Sequence, residues 1–273
     1  MFPIIIAISV VAGIGVVAGA LLTTASKVMN VPVDETAEKL RECLPGANCG
    51  ACGYAGCDGY AAALAGRLEA ATNLCVPGGD TVSREISEIL DLPVLDVIEQ
   101  VAAVHCLGCV GTVQQKMTYQ GINSCRAAKL QYSGEYSCTY GCLGYGDCAV
   151  VCPNNAICVQ DGIARVIHER CIGCGLCART CPNGIIHVHA DTITCIIDCS
   201  NHARGAEVVK VCSAGCIGCR KCERECPVDA ISIKENLPFI DYDKCVGCGH
   251  CKTVCVRKCI RFADFRGELT RSY

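Results

Sequence analysis

Residues 216–227 read CIGCRKCERECP, and this stretch decides the fold of the chain. Three cysteines are separated from one another by two residues, and a fourth follows after three more residues and precedes a proline. Residues 171–182, CIGCGLCARTCP, repeat this spacing, and residues 245–255, CVGCGHCKTVC, repeat it without the proline. Residues 138–153, CTYGCLGYGDCAVVCP, are a stretched version. Such self-similarity indicates that the chain repeats one structural unit.

The repeats fall into two pairs. Their last cysteines are Cys152, Cys181, Cys226 and Cys255, so the gaps between them are 29, 45 and 29 residues. Two equal gaps around a longer one predict two paired modules joined by an insertion. Short β-prone pieces at residues 185–188, 230–233 and 238–242 flank the cysteine loops, as a small α+β unit requires.

The composition requires cross-links. The chain has 273 residues, a formal net charge of −3 and 29 cysteines, and without the cysteines its apolar content falls from 51% to roughly 40%. So thin an apolar core needs metals or disulfides to hold it. These figures exclude an ordinary soluble α/β enzyme and a disordered chain, and the absence of a basic excess excludes a nucleic-acid binder.

The cysteine spacing is typical of iron–sulfur proteins. Three closely spaced cysteines hold one [4Fe–4S] cluster, and the fourth binds the cluster of the other repeat, as in the bacterial two-cluster ferredoxins that residues 138–181 and 216–255 resemble. Zinc is one alternative, but this triple motif followed by Cys-Pro is rare in zinc sites. Disulfides are the other, and a reducing cytoplasm disfavours them. The ferredoxin pattern implies four ligand sets: Cys138, Cys142, Cys148 and Cys181; Cys152, Cys171, Cys174 and Cys177; Cys216, Cys219, Cys222 and Cys255; and Cys226, Cys245, Cys248 and Cys251.

The N-terminus predicts a membrane anchor. Residues 2–25 are almost wholly apolar, long enough as a helix to span about 36 Å, and no charged side chain precedes Lys27. A secretory signal is the alternative, but no basic residue precedes the apolar run, which is too long for a signal. The basic residues after it place the bulk of the chain in the cytoplasm. Gly15 and Gly19 offer a small-residue face for a partner helix, with plain apolar filler as the alternative.

A further cysteine group lies between the anchor and the repeats. Cys49, Cys52, Cys57 and Cys75, in a glycine-rich loop followed by a helix-prone segment, predict another metal site. With this group in place, nearly the whole chain resembles the B subunits of Rnf complexes, the membrane-bound, ion-translocating ferredoxin:NAD oxidoreductases of bacteria. The resemblance rests on the anchor, on residues 48–57 (NCGACGYAGC), on residues 121–128 (GINSCRAA) and 140–144 (YGCLG), and on the ferredoxin pairs. It implies that these four cysteines bind a [4Fe–4S] cluster.

Nine cysteines remain. Cys43, Cys158 and Cys259 are interpreted as small buried residues. Cys106, Cys125, Cys199 and Cys212 can form a sixth cluster site, with Cys109 and Cys195 as substitutes and inert thiols as the alternative. We therefore expect five [4Fe–4S] clusters, with a sixth left open.

The resemblance implies an electron relay. This chain would accept electrons from reduced ferredoxin and pass them to the other subunits of the complex at the bacterial cell membrane. No credible nucleotide motif and no ionisable group in the anchor is present, so NAD and flavin chemistry and ion translocation, of sodium or protons, belong to partner subunits. The alternative is a polyferredoxin component of another membrane complex, linked to a hydrogenase or dehydrogenase.

The predicted fold class is α+β, with a transmembrane helix, a small helical Fe–S domain and two tandem ferredoxin-like modules. The expected boundaries are residues 1–26 for the anchor, 32–91 for the N-terminal Fe–S domain, 92–132 for a connecting segment, 133–190 for module 1, 191–211 for the insertion, 212–262 for module 2 and 263–273 for the tail. Basic residues of the C-terminal half can steer an acidic ferredoxin, with an ordinary solvated surface as the alternative. They are Arg204, Lys210, Arg220, Lys221, Arg224, Arg257, Lys258, Arg261 and Arg266.

Overall fold

The structure is a computed structural model that describes residues 12–24, 34–263 and 265. Residues 12–24 are helical (α1) and their side chains are exposed. Within the described residues no helix is both long and apolar enough to cross a bilayer. The rest of the predicted anchor, residues 1–11 and 25–26, lies outside the described residues, so the single-pass topology stays a prediction.

The N-terminal unit is helical, as the sequence predicts. It consists of α2 (Glu35–Cys43), α3 (Cys57–Ala65), a 3₁₀ turn (Val76–Gly78) and α4 (Gly79–Leu90). Asp34 caps α2 by accepting a hydrogen bond from the amide of Thr36. Tyr60 and Leu64 are completely buried, and the Tyr60 hydroxyl donates to the carbonyl of Ala71 at 2.6 Å. This small core holds the cysteine-bearing loop between α2 and α3.

Module 1 is built from two antiparallel pairs of strands. β1 (Gln100–Val104) pairs with β4 (Ile186–Ala190), and β2 (Ile157–Gln160) pairs with β3 (Ile163–Val166). The helices are α5 (Cys125–Leu130), α6 (Asp147–Val150) and α7 (Leu176–Thr180), and a 3₁₀ turn spans His168–Arg170. The structure thus differs from the expected segment boundary, because β1 lies in the connecting segment yet supplies a strand of the module. Val101 to Val104 are all buried, and so short a continuous apolar run carries no strand-like alternation.

Module 2 repeats this plan. β6 (Ile231–Lys234) pairs with β7 (Leu237–Ile240), and β5 (Cys195–Ile197) pairs with β8 (Ile260–Phe262). Its helices are α8 (Gly205–Val211), α9 (Lys221–Arg224) and α10 (His250–Val254). The insertion supplies β5 and α8, so it belongs to the packed structure. Both modules carry the mixed helix and strand content that the sequence predicts.

The two modules meet at His105, which follows β1. Its Nδ1 lies 2.7 Å from the carbonyl oxygen of Ile197 in β5, and its own carbonyl accepts a hydrogen bond from the Ser200 hydroxyl at 2.9 Å. Burial, with His187 and His189 nearby, lowers the pKa of His105 to about 3. The ring is therefore neutral, so Nδ1–H donates to Ile197 and fixes the edge of module 1 against module 2.

Candidate iron–sulfur sites

The N-terminal unit brings its four predicted cysteines together. Cys49 and Cys52 lie in the loop before α3, Cys57 begins α3, and Cys75 precedes the 3₁₀ turn. Asn48 positions the loop, because its side-chain oxygen accepts a hydrogen bond from the Cys57 amide at 2.9 Å. Burial, together with the nearby thiols of Cys57, Cys49 and Cys52, raises the pKa of Cys75 to about 11. Four thiols thus converge on one place.

A cavity of about 330 Å³ in module 1 has one complete predicted set in its lining: Cys152, Cys171, Cys174 and Cys177. The Ala156 amide donates to the Cys152 sulfur at 3.2 Å, and the Ala102 amide donates to the Cys171 sulfur at 3.4 Å. Ala102 lies in β1, so this strand supplies an amide to the site as well as a pairing edge. Backbone N–H groups aimed at sulfur stabilise the negative charge of thiolates.

Module 2 brings together one of the last two predicted sets in full and three members of the other. Cys216, Cys219, Cys222 and Cys255 line a cavity of about 350 Å³. Cys226, Cys245 and Cys251 pack in one hydrophobic core with β6 and β7, and the Ala230 amide donates to the Cys226 sulfur at 3.3 Å. Cys219 and Cys248 are the exposed members of their sets.

The stretched motif is where the structure departs from the predicted ligands. A cavity of about 380 Å³ is lined by Cys142, Cys148 and Cys181, as predicted, but its fourth cysteine is Cys125 in place of Cys138. Burial, together with the nearby thiols of Cys142, Cys125 and Cys181, raises the pKa of Cys148 to about 12. Cys138 is absent from the lining of this cavity.

Hydrogen bonds explain this placement of Cys125. The Asp147 carboxylate accepts from the Ser124 hydroxyl at 2.9 Å and from the Arg126 amide at 3.0 Å. These bonds fasten the start of α5 to the start of α6, so that Cys125 comes to lie beside Cys148. Two sequence signals were available. Ser124 is a good helix-capping residue directly before a cysteine, and three residues separate Cys138 from Cys142, whereas two residues separate the first two cysteines of the other repeats.

Cys138 instead lines a fourth cavity, of about 420 Å³, with Cys106, Cys199 and Cys212. Three of the four predicted members of the sixth site are therefore brought together, and Cys138 replaces Cys125. The two substitutes lie elsewhere. The Cys109 sulfur lies 3.6 Å from the Thr112 hydroxyl, and the Cys195 sulfur lies 4.0 Å from that of Cys251.

Two buried thiols lie against the predicted ligands of module 2. The Cys259 sulfur is 3.6 Å from that of Cys255, and Cys259 also lies beside Cys216. Its proximity lowers the pKa of Cys255 to about 5, whereas the pKa of Cys259 itself is raised, chiefly by its contacts with Cys216 and Cys255. When Cys216 and Cys255 bind a cluster as thiolates, Cys259 keeps the only proton of the three and is then the donor. The Cys195 sulfur lies 4.0 Å from that of Cys251 and would be the donor there for the same reason.

Across the part of the chain that the structure describes, no three or more His, Cys, Asp or Glu side chains lie close enough to hold a single metal ion. The cysteines instead line cavities of about 330 to 420 Å³, with four cysteines in two of them and a fifth, Cys142 or Cys259, in the other two. Amide N–H groups donate to sulfurs at these sites, and each four-thiol set fits the donor requirement of a [4Fe–4S] cluster.

Family models match both kinds of cysteine unit. Residues 44–77 match the family described as "Putative Fe-S cluster", which covers the N-terminal site. Residues 170–230 and 215–259 match the family described as "4Fe-4S dicluster domain". Iron–sulfur binding by the chain is thus supported at its N-terminal unit and at its C-terminal repeats.

The chain is also similar to curated proteins over nearly its whole length. It is 36% identical to the B subunit of the Na(+)-translocating ferredoxin:NAD(+) oxidoreductase complex of Acetobacterium woodii, over 94% of this chain and 77% of that protein. It is 37% identical to the B subunit of the ion-translocating oxidoreductase complex of Methanosarcina acetivorans, over 93% of this chain and 96% of that one. The proton-translocating counterpart of Clostridium ljungdahlii is 36% identical, over 95% and 91%. The chain therefore belongs to the family of B subunits of the ion-translocating ferredoxin:NAD⁺ oxidoreductase (Rnf) complexes.

Proposed function

We propose that this chain is the electron-transfer subunit of an ion-translocating ferredoxin:NAD⁺ oxidoreductase, and that it passes electrons from reduced ferredoxin to the membrane subunits of the complex. The observation that carries the proposal is the convergence of cysteines into four-thiol sites in a chain that is similar to B subunits over 93% to 95% of its length. The coupling ion is left open, because the relatives include both sodium- and proton-translocating complexes.

Five [4Fe–4S] clusters are assigned to five sets of thiols. When bound, such clusters supply reversible one-electron transfer. Four sets are those that the sequence predicts, and in the stretched motif the assignment changes from Cys138 to Cys125. The sets are Cys49, Cys52, Cys57 and Cys75; Cys125, Cys142, Cys148 and Cys181; Cys152, Cys171, Cys174 and Cys177; Cys216, Cys219, Cys222 and Cys255; and Cys226, Cys245, Cys248 and Cys251.

The protein's own groups tune these sites. Amides such as those of Ala164 and Ala230 donate to the sulfurs of Cys142 and Cys226, at 3.4 and 3.3 Å. Such donors stabilise the extra negative charge of a reduced site, while burial opposes it. Ala164 lies in β3 and Ala230 directly precedes β6, so the hairpins of both modules deliver this amide.

Electron entry is assigned to module 2. Cys219 and Cys248 are the exposed ligands, and short distances to the surface favour exchange with a soluble carrier. Lys221 and Arg224 are exposed on α9 beside Cys219, which suits an acidic ferredoxin. Arg220, in contrast, is partly neutralised by Glu223, 2.7 Å away.

Membrane attachment is assigned to residues 1–26, with the bulk of the chain on the cytoplasmic side. The apolar run of residues 2–25 and the basic residues that follow it support this assignment. The family supports association with further subunits of the complex, because its members are named as B subunits of such complexes.

The decisive experiment is purification of the full chain under strict anaerobiosis, with iron and acid-labile sulfide assays and electron paramagnetic resonance (EPR). Each cluster contributes about four irons, so five sites require about twenty irons per chain. Reduced ferredoxin should then reduce the clusters. A colourless or zinc-loaded protein, or one that ferredoxin does not reduce, would refute the proposal.

The entry surface has its own test. Arg224→Glu should slow the salt-dependent association with ferredoxin, because it reverses a charge next to an exposed ligand. Arg84→Glu, on the exposed face of α4 in the N-terminal unit, is the matched control with the same change in charge. Equal association rates for the two variants would refute the assignment of the surface around α9 as the docking site.

A further inference from the structure

We propose that Cys106, Cys138, Cys199 and Cys212 hold a sixth [4Fe–4S] cluster, and that this cluster is the link between the two ferredoxin modules. The inference rests on the proposed function for the other five sites. The four cysteines come from four separate segments, namely the end of β1, the loop before α6, the segment after β5 and the end of α8. They line one cavity of about 420 Å³, together with Cys142, which also lines the neighbouring cavity of module 1.

The cavity has the features of a thiolate site. The sulfur of Cys106 accepts from the amides of Gly108 at 3.3 Å and Cys142 at 3.4 Å. The sulfur of Cys199 accepts from the Cys216 amide at 3.2 Å. Each of these bonds is better satisfied by a thiolate than by a thiol, and a metal cluster keeps the sulfur deprotonated.

The remaining two cysteines are also positioned. The sulfur of Cys138 accepts from the side-chain amide of Asn201 at 3.4 Å, and Asn201 is only 4% exposed. A Cβ on Gly108 would lie 3.5 Å from the Cys106 sulfur and 3.9 Å from the Cys212 sulfur, so this glycine lies between the two thiols.

The contacts of this site point to both modules. Cys106 accepts the amide of Cys142, which is a ligand of the site completed by Cys125 in module 1. Cys199 accepts the amide of Cys216, which is a ligand in module 2. One electron would leave a reduced site of module 2, reduce the linking site and then pass to module 1. No bond forms or breaks in this transfer.

The same contacts extend to the N-terminal unit. The Arg179 guanidinium on α7 donates to the Cys49 carbonyl, and the Cys49 thiol lies near Cys174, whose pKa it raises after burial. The order of sites is therefore module 2, the linking site, module 1 and the N-terminal site. This order begins at the exposed cysteines and ends on the unit that follows the apolar segment.

Double variants of the full chain test the assignment by iron content. If Cys125 and Cys199 belong to different sites, Cys125→Ala and Cys199→Ala should each lower the iron content, by up to about four per chain, and their losses should add in the double variant. Cys138→Ala and Cys199→Ala remove ligands of one site, so their losses should not add. Cys109→Ala is the control, because Cys109 lies near the cavity but outside its lining.

The outcomes separate the alternatives. Non-additive losses for Cys125 and Cys199, or wild-type iron content in Cys199→Ala, would overturn the proposal. A wild-type chain without iron would instead refute the proposed function as a whole. The linking role has a second readout: after rapid mixing of Cys199→Ala with reduced ferredoxin, EPR should show module 2 reduced as in the wild type and the N-terminal site reduced at least tenfold more slowly.

Discussion

The substitution Cys259→Ala should make the reduction potential of one cluster in module 2 more negative. Cys259 is 1% exposed, and its sulfur lies 3.6 Å from that of Cys255, so its single S–H donates to this ligand once the ligand is a thiolate. A reduced cluster carries more negative charge on its sulfurs, so a donor to those sulfurs stabilises the reduced form more than the oxidised form. Removing the thiol removes this preference and leaves the ligands in place.

The single S–H group sets the size of the effect. A thiol is a weak donor with one hydrogen, and about 0.7 kcal/mol of differential stabilisation lies at the low end for hydrogen bonds in proteins. This corresponds to about 30 mV for a one-electron couple. Cys195→Ala removes a longer contact, 4.0 Å from the Cys251 sulfur against 3.6 Å between Cys259 and Cys255, and should shift the neighbouring site by less.

An EPR-monitored redox titration of the anaerobic protein measures both shifts. Cys259→Ser should retain most of the wild-type potential, because its hydroxyl still donates. Cys43→Ala is the control, since the Cys43 thiol bonds to the Lys39 carbonyl on α2. An unchanged or more positive potential in Cys259→Ala would refute the reasoning, and so would an equal shift in both variants of module 2.

Two further predictions concern the frame around the sites. Gly249→Ala should lose iron from module 2, because Gly249 has a φ of +71° and a Cβ there would overlap the ring of Phe262. Gly184→Ala has a φ of +60° in open space and should cost only about 1–2 kcal/mol of unfolding free energy by denaturant titration, with full iron content. Arg179→Ala should increase amide hydrogen exchange where the N-terminal unit contacts module 1, because it removes the hydrogen bond to the Cys49 carbonyl. The iron content should stay constant. Unchanged exchange would mean that other contacts hold the unit.

The sequence alone predicts the regular parts of this protein well. The sites of the regular motifs that begin at Cys171 and Cys216 can be predicted because three of their ligands are close in sequence. One tight loop brings these three together without contacts from distant segments. The N-terminal group is local in the same way. The strands after the motifs are predicted near residues 185–188 and 230–233 and are found at Ile186–Ala190 and Ile231–Lys234.

The irregular site could not be predicted, because its members are distant in sequence. Contacts with distant residues decide which site Cys125 and Cys138 join. Asp147 holds the start of α5, and with it Cys125, by two hydrogen bonds, whereas Asn201 donates a hydrogen bond to the Cys138 sulfur. No periodicity records such pairings. The strand β1 could not be predicted for the same reason, because its partner β4 lies more than eighty residues further along the chain.

The cysteines also replace the missing hydrocarbon core. Each module's core contains cysteines among its fully buried members, such as Cys148 and Cys177 in module 1 and Cys222 and Cys251 in module 2. The aliphatic residues packed with them are few, so a metal-free module would bury too little apolar surface to offset the entropy of ordering its loops. Cluster binding then contributes to folding itself, as metal binding does in other small metal domains. The two modules also meet where cysteine loops lie side by side, at His105 and Cys106 on one side and Ile197 and Cys199 on the other.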